Sequence, residues 1–332
     1  MLAKYFTSRG NGTIKCDLCP HECLIEIGKS GICKVRQNEE GNLFAKNYGL
    51  AVGLGLDPIE KKPLYHYYPG SQILSIGTPG CNLKCFFCQN YDISQEGADS
   101  FDNSRNYLPQ NLLDIANNSK NNAGIAFTYN EPVVFFEYMV DTARLFKKNG
   151  YHTVMVSNGY INPEPLEELI GCIDAFNIDL KAFDDSFYKK YTKSTIKPVL
   201  NTISTIAGRM KHLEITYLVI PGLNDDHHKF RDMLNWISDT AGKECVLHLS
   251  RYYPRYKSTI SATPEETLEE FYEIASDSLD YVFLGNVNLS IGNNTICPGC
   301  GQVCISRNFY RINNYLSDEG YCPKCGRQII KY

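Results

Sequence analysis

Twelve of the 14 cysteines in this 332-residue chain fall into three short groups. Four lie within residues 16–33, three within 81–88 and five within 297–325. In a reducing compartment, clustered cysteines are more often metal ligands or reactive thiols than disulfide partners. The grouping therefore predicts a fold organised around metal sites. Cys172 and Cys245 stand apart in apolar surroundings, which favours simple burial in a core.

The charge balance and polarity of the chain exclude several classes of partner. The 37 acidic and 33 basic residues give a net charge of −4, so no basic excess is available to bind a nucleic-acid backbone. No apolar run is long enough to span a membrane. Residues 1–12 are polar and lack the apolar core of a secretion signal. We expect a cytoplasmic protein that binds neither nucleic acid nor membrane.

The middle of the chain alternates short apolar segments with amphipathic ones. This alternation predicts right-handed βαβ units and an α/β fold with a parallel sheet, either open or closed into a barrel. The clearest helix runs over 132–149, and another begins at 263–266 with the capping-box pattern Thr-Pro-Glu-Glu. The predicted strands are Gln72–Ile76, Ile125–Thr128, Thr153–Val156, Phe176–Leu180, Glu214–Ile220, Val246–Leu249 and Tyr281–Leu284.

The two ends of the chain differ from this middle. Residues 1–65 and 292–332 carry two of the cysteine groups and show little helical periodicity. We therefore expect two small cysteine-rich metal modules that flank a core domain of residues 66–291.

The central group forms the motif C-x3-C-x2-C at Cys81, Cys85 and Cys88, directly after a predicted strand. Three thiolates on one short loop suit three irons of a cubane cluster, which leaves the fourth iron open to a small molecule. The loop lies at the carboxyl edge of the sheet, where parallel α/β proteins place their chemistry. The competing interpretation is a zinc knuckle completed by a distant cysteine or histidine.

With its preceding glycine turn, and with Phe87 directly before the last cysteine, this loop resembles that of the radical S-adenosylmethionine (SAM) superfamily. The resemblance implies that the three cysteines hold a [4Fe-4S] cluster and that SAM chelates its fourth iron. It also implies that one electron cleaves SAM into methionine and a 5'-deoxyadenosyl radical, which removes a hydrogen atom from a substrate. The cofactors then carry the hard chemistry, while the protein orients them and excludes solvent.

Further parts of the resemblance follow at the ends of successive predicted strands. Where the superfamily has a Gly-Gly-Glu motif that contacts the SAM amino group, this chain has Tyr129, Asn130 and Glu131. Glu131 is alternatively an acidic residue placed for a helix dipole. Asp179 and Lys181 resemble the Asp-x-Lys of glycyl-radical-enzyme activases, which makes them candidates for contacts with SAM or substrate, although such pairs are often structural. The candidate cofactor-binding residues are Phe87, Asn130, Glu131, Ser157, Asn158, Pro221 and His248.

A closer resemblance covers nearly the whole chain. It is to the radical SAM member of the AmmeMemoRadiSam system, whose members are described as similar to pyruvate formate-lyase activating enzyme. It implies a partial (β/α)6 TIM-like barrel and, as candidate partners, Memo-like and AMMECR-like proteins, and it leaves the substrate open. The segments that carry it are 16–23, 31–33, 57–66, 88–90, 285–286 and 297–300.

The first cysteine group follows the spacing C-x2-C-x3-C-x9-C, with His21 inside it. Four soft ligands can close a tetrahedral site, and structural zinc is the first interpretation, because zinc stabilises modules that lack a core. The alternatives are an auxiliary iron–sulfur cluster that relays electrons and thiols without metal. His21 is interpreted as a neighbour of the site. The ligands are Cys16, Cys19, Cys23 and Cys33.

The last group contains two Cys-Pro-x-Cys-Gly knuckles, separated by 21 residues. This spacing is typical of a zinc ribbon, and zinc is favoured over iron. Cys304 is interpreted as a bystander. Since few basic residues surround the knuckles, we favour a structural or protein-docking role over nucleic-acid binding. The ligands are Cys297, Cys300, Cys322 and Cys325.

Together these features favour a radical SAM enzyme that needs a low-potential electron donor. By resemblance, its substrate is a glycyl residue of a partner protein, as for an activase. The alternatives are hydrogen abstraction from a small molecule, a non-catalytic zinc or iron–sulfur binding protein, and RNA modification guided by the ribbon.

Overall fold

The computed structural model describes residues 1–102 and 106–331. The first part of the chain forms two small antiparallel units, a three-stranded sheet and a hairpin, joined mainly by turns. Their strands are β1 (Phe6–Ser8), β2 (Ile14–Cys16) and β3 (Leu24–Ile25) in the sheet, and β4 (Arg36–Glu39) and β5 (Asn42–Ala45) in the hairpin.

An eight-stranded sheet forms the centre of the described chain, in the order β13-β12-β11-β10-β9-β8-β7-β6. Neighbouring strands from β7 to β13 are parallel, and every strand predicted from an apolar run is confirmed within a few residues. This is the expected α/β architecture of a partial barrel. The strands are β6 (Gly53–Pro58), β7 (Gln72–Gly77), β8 (Asn122–Phe127), β9 (His152–Ser157), β10 (Ala175–Asp179), β11 (His212–Val219), β12 (Val246–Arg251) and β13 (Tyr281–Gly285).

The edge strand β6 was not expected from the sequence. It pairs antiparallel with β7, although residues 1–65 were assigned to the N-terminal module. Gly53 and Gly55 weaken the strand signal, because glycine packs no side chain on a sheet and is depleted in strands. The central sheet therefore takes in residues that precede position 66.

Helices connect the parallel strands, as the alternating pattern predicts. The predicted helix over 132–149 is present as a 3-10 turn (Pro132–Phe135) that leads into α3. The α-helices are α1 (Tyr91–Ser94), α2 (Pro109–Asn117), α3 (Phe136–Lys148), α4 (Pro163–Cys172), α5 (Asp185–Phe187), α6 (Ile196–Gly208), α7 (His227–Ala241) and α8 (Glu265–Ser276). None of the described helices is long and apolar enough to cross a bilayer.

The capping box expected at the start of α8 does not form. The Thr263 hydroxyl donates to the Val219 carbonyl at 2.7 Å and accepts from the Tyr252 amide at 2.9 Å, so it ties together the ends of two strands. Pro264 stands at the N-cap instead and offers no side-chain cap. The sequence pattern predicted the start of α8 correctly, but the predicted capping role of Thr263 was wrong.

The sheet curves around the segment that follows β6. From β10, Asn177 donates to the Pro63 carbonyl at 2.7 Å. From β11, the buried Glu214 carboxylate accepts from the amides of Tyr65 and His66 at 2.9 and 2.8 Å. Glu214 lies near the amino end of β11 and Asn177 at the middle of β10, so this segment occupies the side of the barrel opposite the cysteine loop, which follows the carboxyl end of β7.

The last module is a three-stranded antiparallel sheet that packs against this filled end. Its strands are β14 (Thr295–Ile296), β15 (Val303–Asn308) and β16 (Arg311–Asn314). Tyr281 and Phe283 of β13 share one apolar cluster with Ile305 of the module. Arg307 donates to the Tyr65 carbonyl at 2.7 Å and lies 4.4 Å from the centre of the Tyr65 ring. The module therefore covers the barrel end that the 59–67 segment occupies.

Candidate active site

The cysteine loop leaves the carboxyl end of β7 through a tight turn at Thr78–Gly80. Gly80 has φ +96°, and a Cβ there would lie 2.7 Å from the Cys33 carbonyl oxygen, so the position requires glycine. Asn130 holds the turn from the next strand end, because its amide group donates to the Gly80 carbonyl at 2.7 Å and accepts from the Thr78 amide at 3.1 Å. Asn130 thus positions the loop as well as lining the cavity beside it.

Cys81, Cys85 and Cys88 line one cavity of about 470 Å³ at the carboxyl edge of the sheet. This volume is in the range of small-molecule and cofactor sites. Burial raises the pKa of the Cys85 thiol to about 12, and it also raises the pKa values of Cys81 and Cys88. Cys85 is buried and Cys81 and Cys88 are half-buried, and thiols with raised pKa values that lose their protons to a strongly bound cation fit an iron–sulfur cluster, for which thiolates are the usual ligands.

Glu131 joins the ends of β8 and β9 within this cavity. Its carboxylate accepts from the Ser157 hydroxyl at 2.7 Å, from the Asn158 amide at 2.8 Å and from the Val133 amide at 3.0 Å. Burial raises the pKa of Glu131 to about 7, although these hydrogen bonds lower it. A cationic group that enters the cavity favours the ionised carboxylate. The helix-start interpretation is also satisfied, since Glu131 is the N-cap of the 3-10 turn.

Asn158 connects this carboxylate to the cysteine loop. Its side-chain amide donates to the Asn82 side chain at 2.9 Å and approaches the Cys81 sulfur at 3.9 Å. Ser157, Asn158 and Glu131 therefore form one buried network with the residues around Cys81, as their positions at successive strand ends predict.

Asp179 and Lys181 form an ion pair at 3.1 Å in the same cavity. Burial lowers the pKa of Lys181, but the Asp179 carboxylate and the Cys85 sulfur outweigh it and raise that pKa above its usual value. The side-chain amide of Asn224 donates to the Lys181 carbonyl at 2.7 Å, which fixes the backbone at Lys181. A permanently charged lysine at this position can contact an anionic group of a bound molecule.

The sequence analysis did not identify a further polar cluster that lines this cavity, around Asp57. Asp57 accepts from the Tyr129 hydroxyl at 2.6 Å and from the Lys62 and Lys61 ammonium groups at 2.7 and 3.0 Å. Tyr129 has φ +69°, in the region that favours the glycine found there in the superfamily. Its ring fits because Gly53 has no side chain: a Cβ there would lie 2.7 Å from the ring.

Phe87, a candidate cofactor-binding residue, is buried and lines the cavity. His248 and Pro221 are not among the described residues that line it. The His248 ring instead bonds the Glu214 carboxylate at 2.6 Å, because both side chains point into the filled end of the barrel. Pro221 lies on the turn after β11. Since neither residue lies on the cavity wall, their roles in cofactor binding stay predictions from the sequence.

Sequence and structure comparisons agree with this geometry. The Radical SAM superfamily profile matches residues 75–236, which contain the cysteine loop and four of the parallel strands after it. An uncharacterised protein of Methanocaldococcus jannaschii is 39% identical over 98% of both chains. The chain belongs to the radical SAM superfamily.

Its relatives include activating enzymes. Pyruvate formate-lyase-activating enzyme of Clostridium pasteurianum is 24% identical over 167 residues, which cover 50% of this chain and 70% of the relative. A solved radical SAM methyltransferase from Sphaerobacter thermophilus shares the fold, with a TM-score of 0.53 at 14% identity over 66% of this chain and 67% of the other. This radical SAM chain is therefore an enzyme similar to the activases.

The C-terminal knuckles of this radical SAM protein form a compact four-sulfur site. The sulfurs of Cys297 and Cys325 lie 3.5 Å apart, and those of Cys300 and Cys322 lie 3.7 Å apart. All four lie within 4.8 Å of one another. Since a tetrahedral metal with bonds of about 2.3 Å separates its sulfurs by about 3.8 Å, this set could hold a single metal ion.

The N-terminal cysteines form a different site beside the active site. Cys16, Cys19, Cys23 and Cys33 all line a small enclosed cavity, together with Asn82 from the central loop. His21 contacts the Asn82 carbonyl at 2.7 Å and is not among the residues lining that cavity. The sequence analysis treated the two flanking groups as independent modules, whereas this one adjoins the catalytic loop.

Proposed function

We propose that this radical SAM enzyme activates a partner protein by removing a hydrogen atom from one of its glycyl residues. The observation that carries the proposal is that one cavity brings together the three-cysteine loop, Glu131 and the Asp179–Lys181 pair. When bound, the cluster and SAM supply one-electron cleavage of a carbon–sulfur bond and the 5'-deoxyadenosyl radical.

The residues around the cavity have distinct tasks in this proposal. Cys81, Cys85 and Cys88 are the cluster ligands. The Glu131 carboxylate would accept hydrogen bonds from the cationic amino group of SAM. The Ser157 hydroxyl and the Asn158 backbone amide already orient this carboxylate. The apolar side chains of Leu83 and Phe87, which are buried on the same wall, keep water from the reacting atoms.

The Asp179–Lys181 pair and the rim support a protein substrate. Lys181 offers a cation to the SAM carboxylate or to a substrate carbonyl, and Asp179 holds it in place. Lys61, Gln89 and Asn90 are exposed and line the cavity, so a peptide loop could reach it from solvent. The relatives named activating enzymes favour the same class of substrate.

A test of SAM cleavage uses protein purified without oxygen, reconstituted with iron and sulfide, and reduced with dithionite. We expect 5'-deoxyadenosine from the unaltered chain and none from Cys85→Ala. Cys245→Ala is the matched control, because Cys245 is a buried cysteine that belongs to none of the three groups. Equal product from Cys85→Ala and from the unaltered chain would refute the assignment.

The substrate class is tested separately. Memo-like and AMMECR-like proteins are the partners to try first, each incubated with the reduced enzyme and SAM. A glycyl-radical doublet in the EPR spectrum of a partner supports activation. The second candidate, abstraction from a small molecule, is favoured by the cavity volume of about 470 Å³. It predicts deuterium transfer from a labelled metabolite into 5'-deoxyadenosine without any radical on a protein.

We also propose that the C-terminal set binds structural zinc. Its sulfur separations fit one tetrahedral ion, and Cys300 and Cys325 lie at or near the surface, far from the catalytic cavity. The expected content is one zinc per chain, lost from a Cys297→Ala variant.

A further inference from the structure

The spacing of the N-terminal sulfurs differs from that of the C-terminal ones. Among the described residues, the C-terminal set is the one group of three or more cysteine, histidine or acidic side chains whose ligand atoms all lie within 4.8 Å. No three of the N-terminal sulfurs therefore all lie within 4.8 Å of one another, whereas a single tetrahedral ion requires separations of about 3.8 Å. The three cysteines of the central loop share this wider spacing, and they suit a cubane cluster.

The cavity lined by the N-terminal cysteines also favours a centre larger than one metal ion. All four line an enclosed cavity of about 20 Å³. A cavity of roughly 10–15 Å³ already admits a water molecule. Four sulfurs in contact with one zinc ion leave no such space between them, whereas a cluster of several irons and sulfides fills it. The donor set and the cavity thus fit a polynuclear centre.

Two buried cations flank this site. Arg36 lines the cavity and is ion-paired to Glu137 at 3.0 Å. The Lys84 ammonium is buried and makes no hydrogen bond within the described chain. The sulfurs of Cys33 in the N-terminal set and of Cys81 and Cys85 in the central loop are near enough to act on it electrostatically. An unpaired buried cation is costly, so a buried ammonium near sulfurs of both cysteine sets favours anionic centres beside it.

The two sets are also joined through the polypeptide. The Cys33 carbonyl approaches Gly80, which directly precedes Cys81 in sequence. His21, from the N-terminal group, contacts the Asn82 carbonyl on the other side of Cys81 at 2.7 Å. Asn82 itself lines the N-terminal cavity. A short path of bonded and contacting atoms therefore leads from one set to the other.

We infer that Cys16, Cys19, Cys23 and Cys33 ligate a second iron–sulfur cluster, which passes electrons to the cluster held by the central loop. One electron from a low-potential donor protein reduces the N-terminal cluster, and the same electron then reduces the central one. The donor is oxidised by one electron, and no bond or proton changes partner in this transfer. The relay rests on the proposed function, whereas the identity of the N-terminal centre does not.

The identity is tested in the triple variant Cys81→Ala, Cys85→Ala, Cys88→Ala, purified without oxygen and reconstituted. We expect about four irons and four sulfides per chain, with the Mössbauer spectrum of a four-cysteine cluster. Adding Cys16→Ala and Cys19→Ala should remove this iron. A triple variant that carries zinc in place of iron at the N-terminal cysteines would overturn the inference.

A second measurement covers the case in which the triple variant does not fold. The unaltered chain should then contain about eight irons, and Cys16→Ala with Cys19→Ala should halve that number, whereas Cys245→Ala should keep it. About four irons in both the unaltered chain and the Cys16/Cys19 variant would contradict the second cluster. An unaltered chain with about eight irons that never cleaves SAM would refute the proposed function and leave the second cluster in place.

The relay is tested with two reductants. A chain that lacks Cys16 and Cys19 should still yield 5'-deoxyadenosine with a small chemical reductant that reaches the central cluster directly. With a low-potential donor protein, such as a flavodoxin or a ferredoxin, its yield should fall at least tenfold. An unchanged yield with the donor protein would exclude the relay.

Discussion

The two flanking cysteine sets each contain four candidate metal ligands, but the geometry of the two sets differs. The C-terminal sulfurs approach to 3.5 and 3.7 Å in pairs, as around one ion, whereas the N-terminal cysteines line a cavity together with apolar residues. Their sequence spacings alone supported zinc in both. We infer from this comparison that the separation of the sulfurs in the fold, more than the count of cysteines, would distinguish a single-ion site from a cluster site.

The two modules also differ in where they meet the barrel. The N-terminal module contacts the catalytic loop through Gly80 and Asn82 at the carboxyl edge of the sheet. The C-terminal module contacts Tyr65 and His66 at the other end, through Arg307 and Thr295. We infer that the N-terminal module is placed to exchange electrons with the active site, while the C-terminal module closes the other end of the barrel.

The largest effect is expected from breaking the C-terminal metal site. Cys322→Ala should release the zinc and unfold the module, because structural zinc supplies on the order of 10 kcal/mol of binding energy to such a fold. Zinc analysis and limited proteolysis of residues 295–330 measure the result. The control is Cys304→Ala, which removes a buried thiol outside the four-ligand set and should keep the metal. Retention of zinc by Cys322→Ala would contradict a four-cysteine site.

The attachment of this module is tested by Arg307→Met. The change removes a buried hydrogen bond to the Thr295 hydroxyl and a part-buried one to the Tyr65 carbonyl. We expect a loss of about 3 kcal/mol in the free energy of unfolding, measured by urea titration, with zinc retained. Arg311→Met, an exposed residue of the same module, is the matched control and should change stability little. A loss below about 0.5 kcal/mol would show that the apolar cluster alone attaches the module.

A pH dependence should accompany this attachment. Burial lowers the pKa of His66 to about 3, so the folded protein keeps this ring neutral while the unfolded chain binds a proton below its ordinary value of 6.5. Stability should therefore fall as the pH drops from 6.5 towards 3, by up to about 1.4 kcal/mol per pH unit. Urea titrations of the unaltered chain and of His66→Gln between pH 4 and 7 give the difference. Parallel curves for the two proteins would refute this role.

The smallest effect is expected at the contact between the N-terminal module and the loop. His21→Ala removes one hydrogen bond to the Asn82 carbonyl and a ring contact with Tyr160 at 5.1 Å. We expect a loss of about 1 kcal/mol, with the iron content unchanged, since His21 is not a ligand in this assignment. Loss of iron from this variant would instead make the histidine a ligand.

Much of the fold could be predicted because the signals are local. Each parallel strand is a short apolar run, and the cysteine motif lies directly after one of them. Strand order then brought Glu131, Ser157 and Asn158 to the same edge, since the carboxyl ends of parallel strands share it. The edge strand β6 escaped prediction because its glycines resemble a loop.

What the sequence could not predict depends on contacts between distant residues. Tyr129 and Asp57 are 72 positions apart, and nothing in either segment indicates that the tyrosine turns towards that carboxylate. Glu214 lies in an apolar run, yet it is a buried hub for His248 and for the amides of Tyr65 and His66. A strand-end motif therefore suggested a cofactor role for His248 that its hydrogen bonding does not support.

The position of Arg307 has a consequence for how the protein is made. Every strand of the central sheet precedes this arginine in sequence, so all of them leave the ribosome before the side chain that covers Tyr65 is available. During that interval, one end of the newly made barrel is exposed. If the last module needs the proposed metal ion to fold, the supply of that ion sets how soon this end closes, and the exposed end prolongs the chain's susceptibility to aggregation.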